Sequence, residues 1–580
     1  MRKILRTIWP YLWRYRSGLL LGMGALVVKD IGGAALPFVI GKGVDAITKG
    51  FNVRLVLWFA GVLVALSAIK GLFQYWMRVI IIGISRDIEY DLRNDLFLHL
   101  VSLSSDFYSR MRTGDIMARA TNDLNAVRMM LGPGIMYWAE TSITFVFVFL
   151  VMLWTDWRLT LFALLPAPLV SVAVMYFGRL IHDRFERIQR MFSDISSRVQ
   201  ENISGVRVIR AYVQEEAELK QFERLNRDYI AQNLKLAWIS GLFMPLLQAL
   251  VGITLLIVLW IGGSRLMEGR ITLGQFVMFN TYMGILVWPM IAFGWVVNLM
   301  QRGTASLGRI SQILEERPSI AAPKNPRRLP SPVRGEIEFR DVTVKYDSGR
   351  ALDGISLKIP AGATVAIVGH TGSGKSTLVQ LIPRLMNPTR GSVLIDGVDL
   401  RELDPAELRR HIGFVPQDTF LFSAKLSENI AFGVESASEE EIRRAAELAG
   451  LATDVESFPD GYQTVVGERG ITLSGGQKQR TAIARAVIRN PRILILDDAL
   501  SSVDTLTEDR ILSALAEVMR GRTTILISHR VSTVRNADRI FVVEKGRIAE
   551  EGDHAQLLDL GGYYADLYQK QLLEEELEAI

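Results

Sequence analysis

The chain has 580 residues, no cysteine and a formal net charge of +5, and 49% of its residues are apolar. A chain of this length exceeds a single hydrophobic core, so two or more domains are expected. The absence of cysteine excludes disulfides, thiolate catalysis and thiolate metal sites. The apolar content predicts a membrane-embedded part, and a membrane-facing surface explains the small basic surplus without nucleic acid.

The N-terminal half contains six long apolar stretches, each close to the roughly 20 residues that cross a bilayer. We place them at residues 18–40, 55–82, 132–154, 158–178, 237–266 and 274–300. Short loops join the first stretch to the second, the third to the fourth, and the fifth to the sixth. Two longer polar stretches, 83–131 and 179–236, are rich in arginine and have amphipathic spacing, which predicts helices that continue into the cytosol.

The charge of the N-terminus predicts the orientation of these spans. The first 16 residues contain five basic side chains and no acid: Arg2, Lys3, Arg6, Arg14 and Arg16. The positive-inside rule places such an end in the cytosol, and six spans return the C-terminal half to the same side. A basic start before an apolar run also resembles a signal peptide, but this run is too long and no small-residue cleavage site ends it. We therefore expect a retained first span preceded by an interfacial helix.

Two sets of side chains within these spans leave two interpretations open. Four charged residues fall within the predicted spans: Lys29, Asp30, Lys70 and Glu140. Charges at membrane depth are costly, so these residues either mark a site, or pair with one another or lie nearer the membrane interface than the span limits suggest. Five further residues either line an apolar, adaptable cavity or serve helix packing: Gln248, Met278, Tyr282, Met283 and Trp295.

A segment rich in proline and arginine follows the last span. Five prolines between residues 318 and 332 disfavour helix and central strand, so this segment is a linker. We therefore predict a transmembrane domain over 1–310, a linker over 311–334 and a soluble α/β domain over 335–575.

The soluble half opens with a phosphate-binding motif. Residues 369–376 read GHTGSGKS and match the P-loop pattern G-x-x-x-x-G-K-[ST], so we call them the P-loop. An apolar run at 363–368 predicts a strand before the motif, and 377–382 predicts a helix after it. In that setting backbone amides cradle phosphate, Lys375 reaches the terminal phosphates and Ser376 holds magnesium. A glycine-rich turn without a ligand is the alternative, and it does not explain the flanking strand and helix.

Further motifs in the soluble half indicate which class of nucleotide-binding enzyme this is. Residues 473–477, LSGGQ, open a predicted helix. The apolar run 493–496 ends in Asp497, which has the form of a magnesium-binding strand end. A second such strand ends at His529, and Gln417 follows a third apolar run.

These motifs, in this order, resemble an ABC exporter half-transporter with the type IV exporter fold. The resemblance covers the whole chain and implies six membrane helices with long cytosolic extensions, fused to one ABC nucleotide-binding domain. The LSGGQ segment, in register with the P-loop and Asp497, is the most specific part. Residues 464–470 are similar to a short loop of exporters, and 110–115 and 205–212 resemble segments near the coupling helices.

The resemblance implies roles for the matching residues. ATP would contact the adenine-stacking residue, the phosphate loop and two polar residues: Tyr346, Gly369, His370, Thr371, Gly372, Ser373, Gly374, Lys375, Ser376, Thr377, Gln417 and His529. Magnesium would be held by Ser376, Gln417 and Asp497. Catalysis would involve Asp498, His529 and Gln417, and Asp504 would lie at the dimer interface. An ordinary strand tyrosine, loop glutamine and strand-end histidine are the alternatives for Tyr346, Gln417 and His529.

Residues 473–477, LSGGQ, form the signature segment of this family, and they imply a second subunit. In this family the segment contacts the ATP held by the other subunit, so these residues would act in trans: Ser474, Gly475, Gly476 and Gln477. One chain alone then cannot complete a site. ATP would join the two nucleotide-binding domains, and its hydrolysis would release them.

One residue departs from the family pattern. The family has glutamate after the magnesium-binding aspartate as the general base, and this chain has Asp498. Aspartate is one methylene shorter, and a misplacement of ~1 Å can cost ~10²-fold in rate. We expect slow hydrolysis in this chain's site and a different partner chain that carries the glutamate. This resembles the degenerate-site subunit of heterodimeric bacterial multidrug exporters, and a homodimer with two slow sites is the alternative.

The resemblance also implies the setting and the cargo. We expect a multi-pass protein of the plasma membrane, with the N-terminus and the nucleotide-binding domain in the cytosol, that exports or flips amphipathic compounds or lipids. A homodimeric lipid flippase, a peptide exporter and an ATP-gated regulator or channel are alternatives. The six spans argue against a soluble ABC ATPase docked to an unrelated anchor.

Overall fold

The computed structural model describes residues 2–346, 349–467, 470, 473–503 and 505–578. The chain divides into two compact units. A membrane unit comprises Met1–Val101 and Arg112–Glu316, and a nucleotide unit comprises Ser102–Met111 and Arg317–Ile580.

The membrane unit is helical throughout its described residues. Its helices are α1 (Arg2–Arg14), α2 (Arg16–Lys49), α3 (Val53–Ser102), α5 (Thr113–Ala118), α6 (Leu124–Met129), α7 (Ile135–Thr155), α8 (Trp157–Leu164), α9 (Ala167–Ser204), α10 (Val206–Ala211), α11 (Glu215–Ile257), α12 (Gly263–Met267) and α13 (Leu273–Glu315), and helix α4 (Ser105–Arg110) belongs to the nucleotide unit. Three single π-helical turns interrupt longer helices, at Arg119–Asp123, Met130–Gly134 and Val258–Gly262. The sequence did not predict these turns, which insert a residue into the helical ladder.

Among the residues that the structure describes, six helical segments are long and apolar enough to cross a membrane: Arg16–Lys49, Val53–Ser102, Thr113–Thr155, Trp157–Ser204, Glu215–Met267 and Leu273–Glu315. Each contains one of the predicted apolar stretches, so the prediction of six spans is confirmed. Helices α3 and α9 run on well beyond those stretches, as their amphipathic continuations indicated.

The first and last spans approach closely at one end. Thr272 caps α13 by accepting from the Gln275 amide at 3.1 Å, while the Gln275 side chain accepts from the Thr272 amide at 2.9 Å. The Asp45 carboxylate on α2 accepts from the Thr272 hydroxyl at 2.6 Å and from the Gly274 amide at 2.7 Å. A side chain at Gly274 would collide with the Gly41 carbonyl, so this glycine permits the contact.

The nucleotide unit contains two sheets and a helical subdomain. Its strands are β1 (Ile337–Tyr346), β2 (Gly349–Ile359), β3 (Thr364–Val368), β4 (Arg390–Ile395), β5 (Val398–Asp399), β6 (Ile412–Val415), β7 (Ile493–Asp497), β8 (Thr523–Ile527), β9 (Arg539–Glu544) and β10 (Arg547–Gly552). Its further helices are α14 (Lys375–Gln380), α15 (Pro405–Arg410), α16 (Leu426–Ala431), α17 (Glu439–Leu448), α18 (Ala452–Glu456), α19 (Gly475–Val487), α20 (Thr505–Met519), α21 (Val531–Val534), α22 (His554–Leu560) and α23 (Tyr563–Glu578), with 3-10 turns at Leu400–Glu402 and Gly461–Gln463.

The strand order of the larger sheet positions the site. That sheet runs β10-β9-β3-β8-β7-β6, and all its pairings except β9 with β10 are parallel. Strands β3, β6, β7 and β8 are nearly continuous apolar runs, as expected for strands covered on both faces. Parallel strands place their carboxyl ends at one edge, so the residues that follow these four strands meet there.

The nucleotide unit also includes a short helix from the N-terminal half of the chain. Helix α4 lies in the polar stretch that follows the second span. The Ser105 hydroxyl donates to the Leu385 carbonyl at 2.8 Å, and the Ser319 hydroxyl donates to the Asp106 carboxylate at 3.2 Å. The polar stretch 83–131, which was expected to form a cytosolic helix with a segment similar to those near the coupling helices, thus includes a short helix that belongs to the nucleotide unit.

Candidate functional site

A cavity of about 340 Å³ opens at the carboxyl edge of the larger sheet. Its lining includes eleven residues that the sequence singled out: Tyr346, Thr371, Gly372, Gly374, Lys375, Ser376, Thr377, Gln417, Asp497, Asp498 and His529. Gly349, Arg350, Ala351 and Ile527 also line it, and the sequence analysis did not select them. Gly349, Arg350 and Ala351 belong to strand β2, and no sequence motif indicates that this strand lines the cavity.

The P-loop backbone is shaped by glycines. Gly374 has φ +107°, and a Cβ there would lie 2.5 Å from the Ala351 carbonyl oxygen. Gly369 has φ +150°, and a Cβ there would collide with the Val543 carbonyl. Both positions require glycine because other residues rarely adopt this backbone and have no room for a side chain. The chain can therefore turn sharply from β3 into α14.

Lys375 lies inside this loop and is 6% exposed. Its ammonium donates to the carbonyls of Gly369 and His370, both at 2.8 Å. Burial lowers the pKa of Lys375, while the nearby carboxylates of Asp498 and Asp497 act in the opposite direction. A buried ammonium held by carbonyls is a ready partner for an anion such as a terminal phosphate.

Ser373 supplies a second sign that the loop fits phosphate. Its side chain is buried, and its hydroxyl has no hydrogen-bond partner among the described residues. A buried hydroxyl without a partner costs free energy, so such a group indicates a missing ligand. The neighbouring residue His370 does not line the cavity. Its ring packs against Tyr563, with ring centroids 4.5 Å apart.

Ser376 and Asp497 form the pair expected to hold magnesium. The Ser376 hydroxyl donates to the Asp497 carboxylate at 3.1 Å. Burial raises the pKa of Asp497, and the Ser376 hydrogen bond opposes that rise. Gln417 lines the same cavity from the end of β6. A few protein oxygens beside a phosphate site match the way Mg²⁺ binds, since this ion keeps several waters and phosphate ligands.

Asp498 follows Asp497 in an unusual backbone conformation. Its φ is +51°, which is uncommon for a residue with a side chain. Its amide donates to the Ile527 carbonyl at 2.9 Å, and its carbonyl accepts from the Ser501 hydroxyl at 3.0 Å. These bonds fix the point from which the half-buried Asp498 carboxylate reaches into the cavity.

His529 and Tyr346 lie at different sides of the same cavity. Burial, and then the positive charge of Lys375, lower the pKa of His529, so the ring is neutral at physiological pH. Tyr346 is 45% exposed at the end of β1, and its hydroxyl lies 3.4 Å from the Thr377 hydroxyl. A partly exposed ring at the rim of a cavity offers a surface on which a base could stack.

The signature residues lie outside this cavity. Ser474 caps helix α19 by accepting from the Gln477 amide at 3.2 Å, and Gln477 in return accepts from the Ser474 amide at 2.9 Å. Gly475 and Gly476 approach Ser502, where Cβ atoms would lie 3.3 Å and 3.1 Å from its nearest atoms. None of these four predicted residues is among the described residues that line the nucleotide cavity. Asp504, Glu468 and Arg469, which were also predicted to matter, lie outside the described residues.

The sequence analysis missed a buried glutamine that ties this helix to the loop after Asp498. Gln479 is 4% exposed. Its amide donates to the Ser501 hydroxyl at 2.9 Å, and its side-chain oxygen accepts from the Ser502 amide at 2.9 Å. A polar residue on the apolar face of an otherwise amphipathic helix was the signal that could have revealed it.

The membrane unit contains a buried charge cluster. Lys29 and Asp30 are 3% and 5% exposed. The Lys29 ammonium lies 2.9 Å from the Asp30 carboxylate and donates to the Glu140 carboxylate at 2.5 Å. The fourth charged residue, Lys70, has its ammonium beside Gly33, one turn along α2 from Lys29. Three of the four charged residues therefore pair with one another across helices α2 and α7.

Cavity lining and helix packing were both left open for Gln248, Met278, Tyr282, Met283 and Trp295, and the contacts of the described residues separate these five. Tyr282 is fully buried and its hydroxyl donates to the Ala34 carbonyl at 2.5 Å, so it serves helix packing. Met278 and Met283 line two different cavities. Gln248 is exposed, and Trp295 packs edge-on against Tyr137.

Comparison with known proteins assigns the family. The ABC transporter transmembrane region family matches residues 19–290, and the ABC transporter family matches residues 352–501. The chain is 40% identical over 541 residues to the probable multidrug resistance ABC transporter ATP-binding/permease protein YheI of Bacillus subtilis (strain 168), covering 93% of this chain and 92% of that protein. It is 37% identical over 548 residues to the multidrug resistance-like ATP-binding protein MdlA of Escherichia coli (strain K12), with coverage of 93% and 92%.

Two further likenesses concern a lipid flippase and a solved structure. The chain is 37% identical over 556 residues to the ATP-dependent lipid A-core flippase of Syntrophus aciditrophicus (strain SB), covering 95% of this chain and 92% of that protein. A bacterial Atm1-family ABC exporter with ATP bound is similar in structure, with a TM-score of 0.79 and 30% identity over 96% of this chain and 98% of that one. The chain therefore belongs to the ABC transporter family, as a multi-pass exporter that binds ATP through a fused nucleotide-binding domain and couples its hydrolysis to transport.

Proposed function

We propose that this chain is one subunit of a heterodimeric exporter that moves amphipathic compounds across the plasma membrane, and that its own ATP site hydrolyses slowly. The observation that carries the proposal is Asp498, an aspartate at the cavity position that follows the magnesium-binding strand. The lining of the same cavity by Lys375, Ser376, Gln417, Asp497 and His529 supports the proposal.

The fixed backbone of Asp498 supports the slow hydrolysis. Hydrogen bonds to Ile527 and Ser501 hold its peptide groups, so the backbone is not free to move the shorter side chain forward. A general base must lie within hydrogen-bond reach of the attacking water. A shortfall of ~1 Å can cost ~10²-fold in rate.

The signature segment supports an unlike partner. Ser474 begins a well-capped helix α19, and its glycines leave the helix start accessible. This segment is intact and would complete the site of the partner subunit. A weak base and an intact signature in one chain suit a pair in which the partner carries the glutamate and hydrolyses most of the ATP.

The remaining residues take the roles that ATP and magnesium require. Lys375 and the P-loop amides hold the phosphates, and Tyr346 stacks on adenine. Ser376, Asp497 and Gln417 hold Mg²⁺, which neutralises charge on the phosphates when bound. His529 contacts the γ-phosphate as a neutral hydrogen-bond donor.

The orientation and cargo follow from the membrane unit and the relatives. The basic N-terminus and an even number of spans put the nucleotide-binding domain in the cytosol, where ATP is available. The relatives YheI and MdlA carry multidrug names, which supports amphipathic small molecules as cargo. The charge cluster of Lys29, Asp30 and Glu140 is internally paired, so it serves helix packing in this proposal.

The proposal that the two subunits hydrolyse ATP at different rates is tested by purifying the chain alone and together with the product of a neighbouring half-transporter gene. Both samples are studied in lipid nanodiscs. The lone chain should hydrolyse ATP slowly, and the complex should do so much faster. Asp498→Asn should leave most of the activity of the complex intact. Strong activity of the lone chain that Asp498→Asn abolishes would contradict the proposal.

The reach of the base is tested by restoring the family's residue. Asp498→Glu in the complex should raise ATP turnover or leave it unchanged, because the longer side chain regains the missing methylene. A sharp loss of turnover would mean that the geometry around Asp498 does not accommodate the family's base.

A homodimeric lipid flippase is the second candidate, and the 37% identity to the lipid A-core flippase favours it. Light scattering of the lone chain in nanodiscs together with its turnover distinguishes the two. A stable homodimer that flips a fluorescent lipid with ATP would support the flippase.

A further inference from the structure

Helix α23 is anchored to the nucleotide unit at its beginning. The Glu550 carboxylate accepts from the Tyr563 amide at 2.6 Å and from the Tyr564 amide at 3.2 Å. The Tyr564 side chain is fully buried, and its hydroxyl lies 2.7 Å from Nδ1 of His554. A helix whose first turn is held this firmly presents its later residues at defined positions.

Gln571 lies two turns further along this helix and contacts the loop that carries His529. The Gln571 side-chain nitrogen donates to the His529 carbonyl at 2.5 Å. The side-chain oxygen of the same amide accepts from the Val531 amide at 2.7 Å. One primary amide therefore holds the backbone on both sides of Arg530.

These two bonds act on a short connection. His529 follows β8 after a single residue, and helix α21 begins at Val531 and has four residues. The Val531 amide at that helix start has no partner within its own helix, so Gln571 satisfies it. The loop has little regular structure of its own to fix the His529 side chain at the cavity.

Helix α23 also contacts the P-loop. The Tyr563 ring packs against His370 of the P-loop, with centroids 4.5 Å apart and planes at 62°. One helix therefore contacts both the P-loop and the loop that carries His529.

We propose that Gln571 is a positioning residue of the ATP site: it holds the His529 loop so that the ring reaches the terminal phosphate, and helix α23 is part of the scaffold of the nucleotide site. Gln571 touches neither nucleotide nor metal, and it acts through His529. The inference rests on the proposed contact of His529 with the γ-phosphate, and it does not depend on whether the partner subunit is identical or different.

The test replaces the amide by a side chain of similar shape. Gln571→Met in the full-length transporter, assembled with its partner subunit in nanodiscs, removes both hydrogen bonds. Loss of two such bonds should slow γ-phosphate loss from ATP in this chain's site about tenfold. The KM for ATP should stay nearly unchanged, because the P-loop contacts remain. Single-turnover photolabelling with 8-azido-ATP carrying either an α or a γ label follows hydrolysis in this subunit separately from its partner.

Gln569→Met is the matched control, because Gln569 is exposed on the same helix two residues away. It should leave the rate of γ-phosphate loss unchanged. If Gln571→Met does not fold, Gln571→Glu replaces it, since a carboxylate retains an acceptor for the Val531 amide but cannot donate to the His529 carbonyl.

A double-mutant cycle separates positioning from a general structural role. His529→Ala alone should slow γ-phosphate loss, and an unchanged rate would contradict the proposed role of His529 and this inference with it. When His529→Ala does slow the reaction, adding Gln571→Met should cause little further loss. A further tenfold loss in that background, or no effect of Gln571→Met in the native background, would overturn the positioning role while leaving the proposed function of His529 in place.

Discussion

The two units of this chain each bury a lysine, and they balance its charge in different ways. In the membrane unit, Lys29 is held by the carboxylates of Asp30 and Glu140. In the nucleotide unit, Lys375 donates to two P-loop carbonyls, next to a cavity of about 340 Å³. Lys29 is neutralised within the protein, whereas Lys375 is positioned for an anion from outside. Buried charge therefore marks structure in one unit and a ligand site in the other.

The largest expected effect on ATP binding comes from removing the lysine of the ligand site. Lys375→Ala should weaken ATP binding at this chain's site by about tenfold or more, because the charge-assisted contact of the buried ammonium with the phosphates is lost. Folding should be unaffected, since the lysine's partners are backbone carbonyls. Nucleotide photolabelling and circular dichroism measure the two quantities. Lys545→Ala is the control, because that side chain is 90% exposed. A folded Lys375→Ala variant with unchanged labelling would contradict the claim that Lys375 serves a ligand site and not only the fold.

The second effect concerns the other lysine and should fall on folding. Lys29→Met leaves the buried Asp30 carboxylate and the partly buried Glu140 carboxylate without their cation, which should cost about 3–5 kcal/mol of stability in the membrane unit. Thermal unfolding in detergent measures the loss. Lys29→Met combined with Glu140→Gln should recover part of it, because one of the uncompensated charges is then removed. Lys70→Met is the control within the same membrane unit. Equal melting of the Lys29→Met and native proteins would show that the cluster does not support the fold.

The smallest effect is a pH dependence at the nucleotide site. Burial and Lys375 lower the pKa of His529 below its ordinary value near 6.5, so the unfolded state binds the proton more readily. The resulting contribution to stability is complete above about pH 6.5 and declines as the pH falls below it. Denaturant unfolding of native and His529→Asn proteins at about pH 7.5 and 5.5 measures this. The native protein should lose more stability on acidification than the variant, and parallel losses would contradict the shift.

The clustering of three predicted nucleotide-site residues could be expected from the sequence, because each of them comes after an apolar strand. Lys375, Asp497 and His529 come after β3, β7 and β8, and parallel strands bring such residues to one edge. The spacing of a motif therefore carries three-dimensional information. Arg350 was missed because it reaches the cavity from β2, whose sequence resembles any half-exposed strand.

The membrane unit was predictable in its number of spans and less so in its contacts. Apolar length identifies a span, but it does not say which face of a helix meets which neighbour. Lys29 and Glu140 are 111 positions apart, and their pairing depends on the packing of α2 against α7. The three π-helical turns and the grouping of α4 with the nucleotide unit likewise depend on tertiary contacts.

The most direct measurement follows the fate of ATP bound to this subunit during steady turnover of the complete transporter. Azido-ATP with a γ label, crosslinked after many cycles and resolved by subunit, reports whether the nucleotide on this chain is still a triphosphate. A base too short to reach its water predicts that this subunit loses the γ label far more slowly than the partner does. Loss of the γ label from both subunits at the same rate would contradict the account.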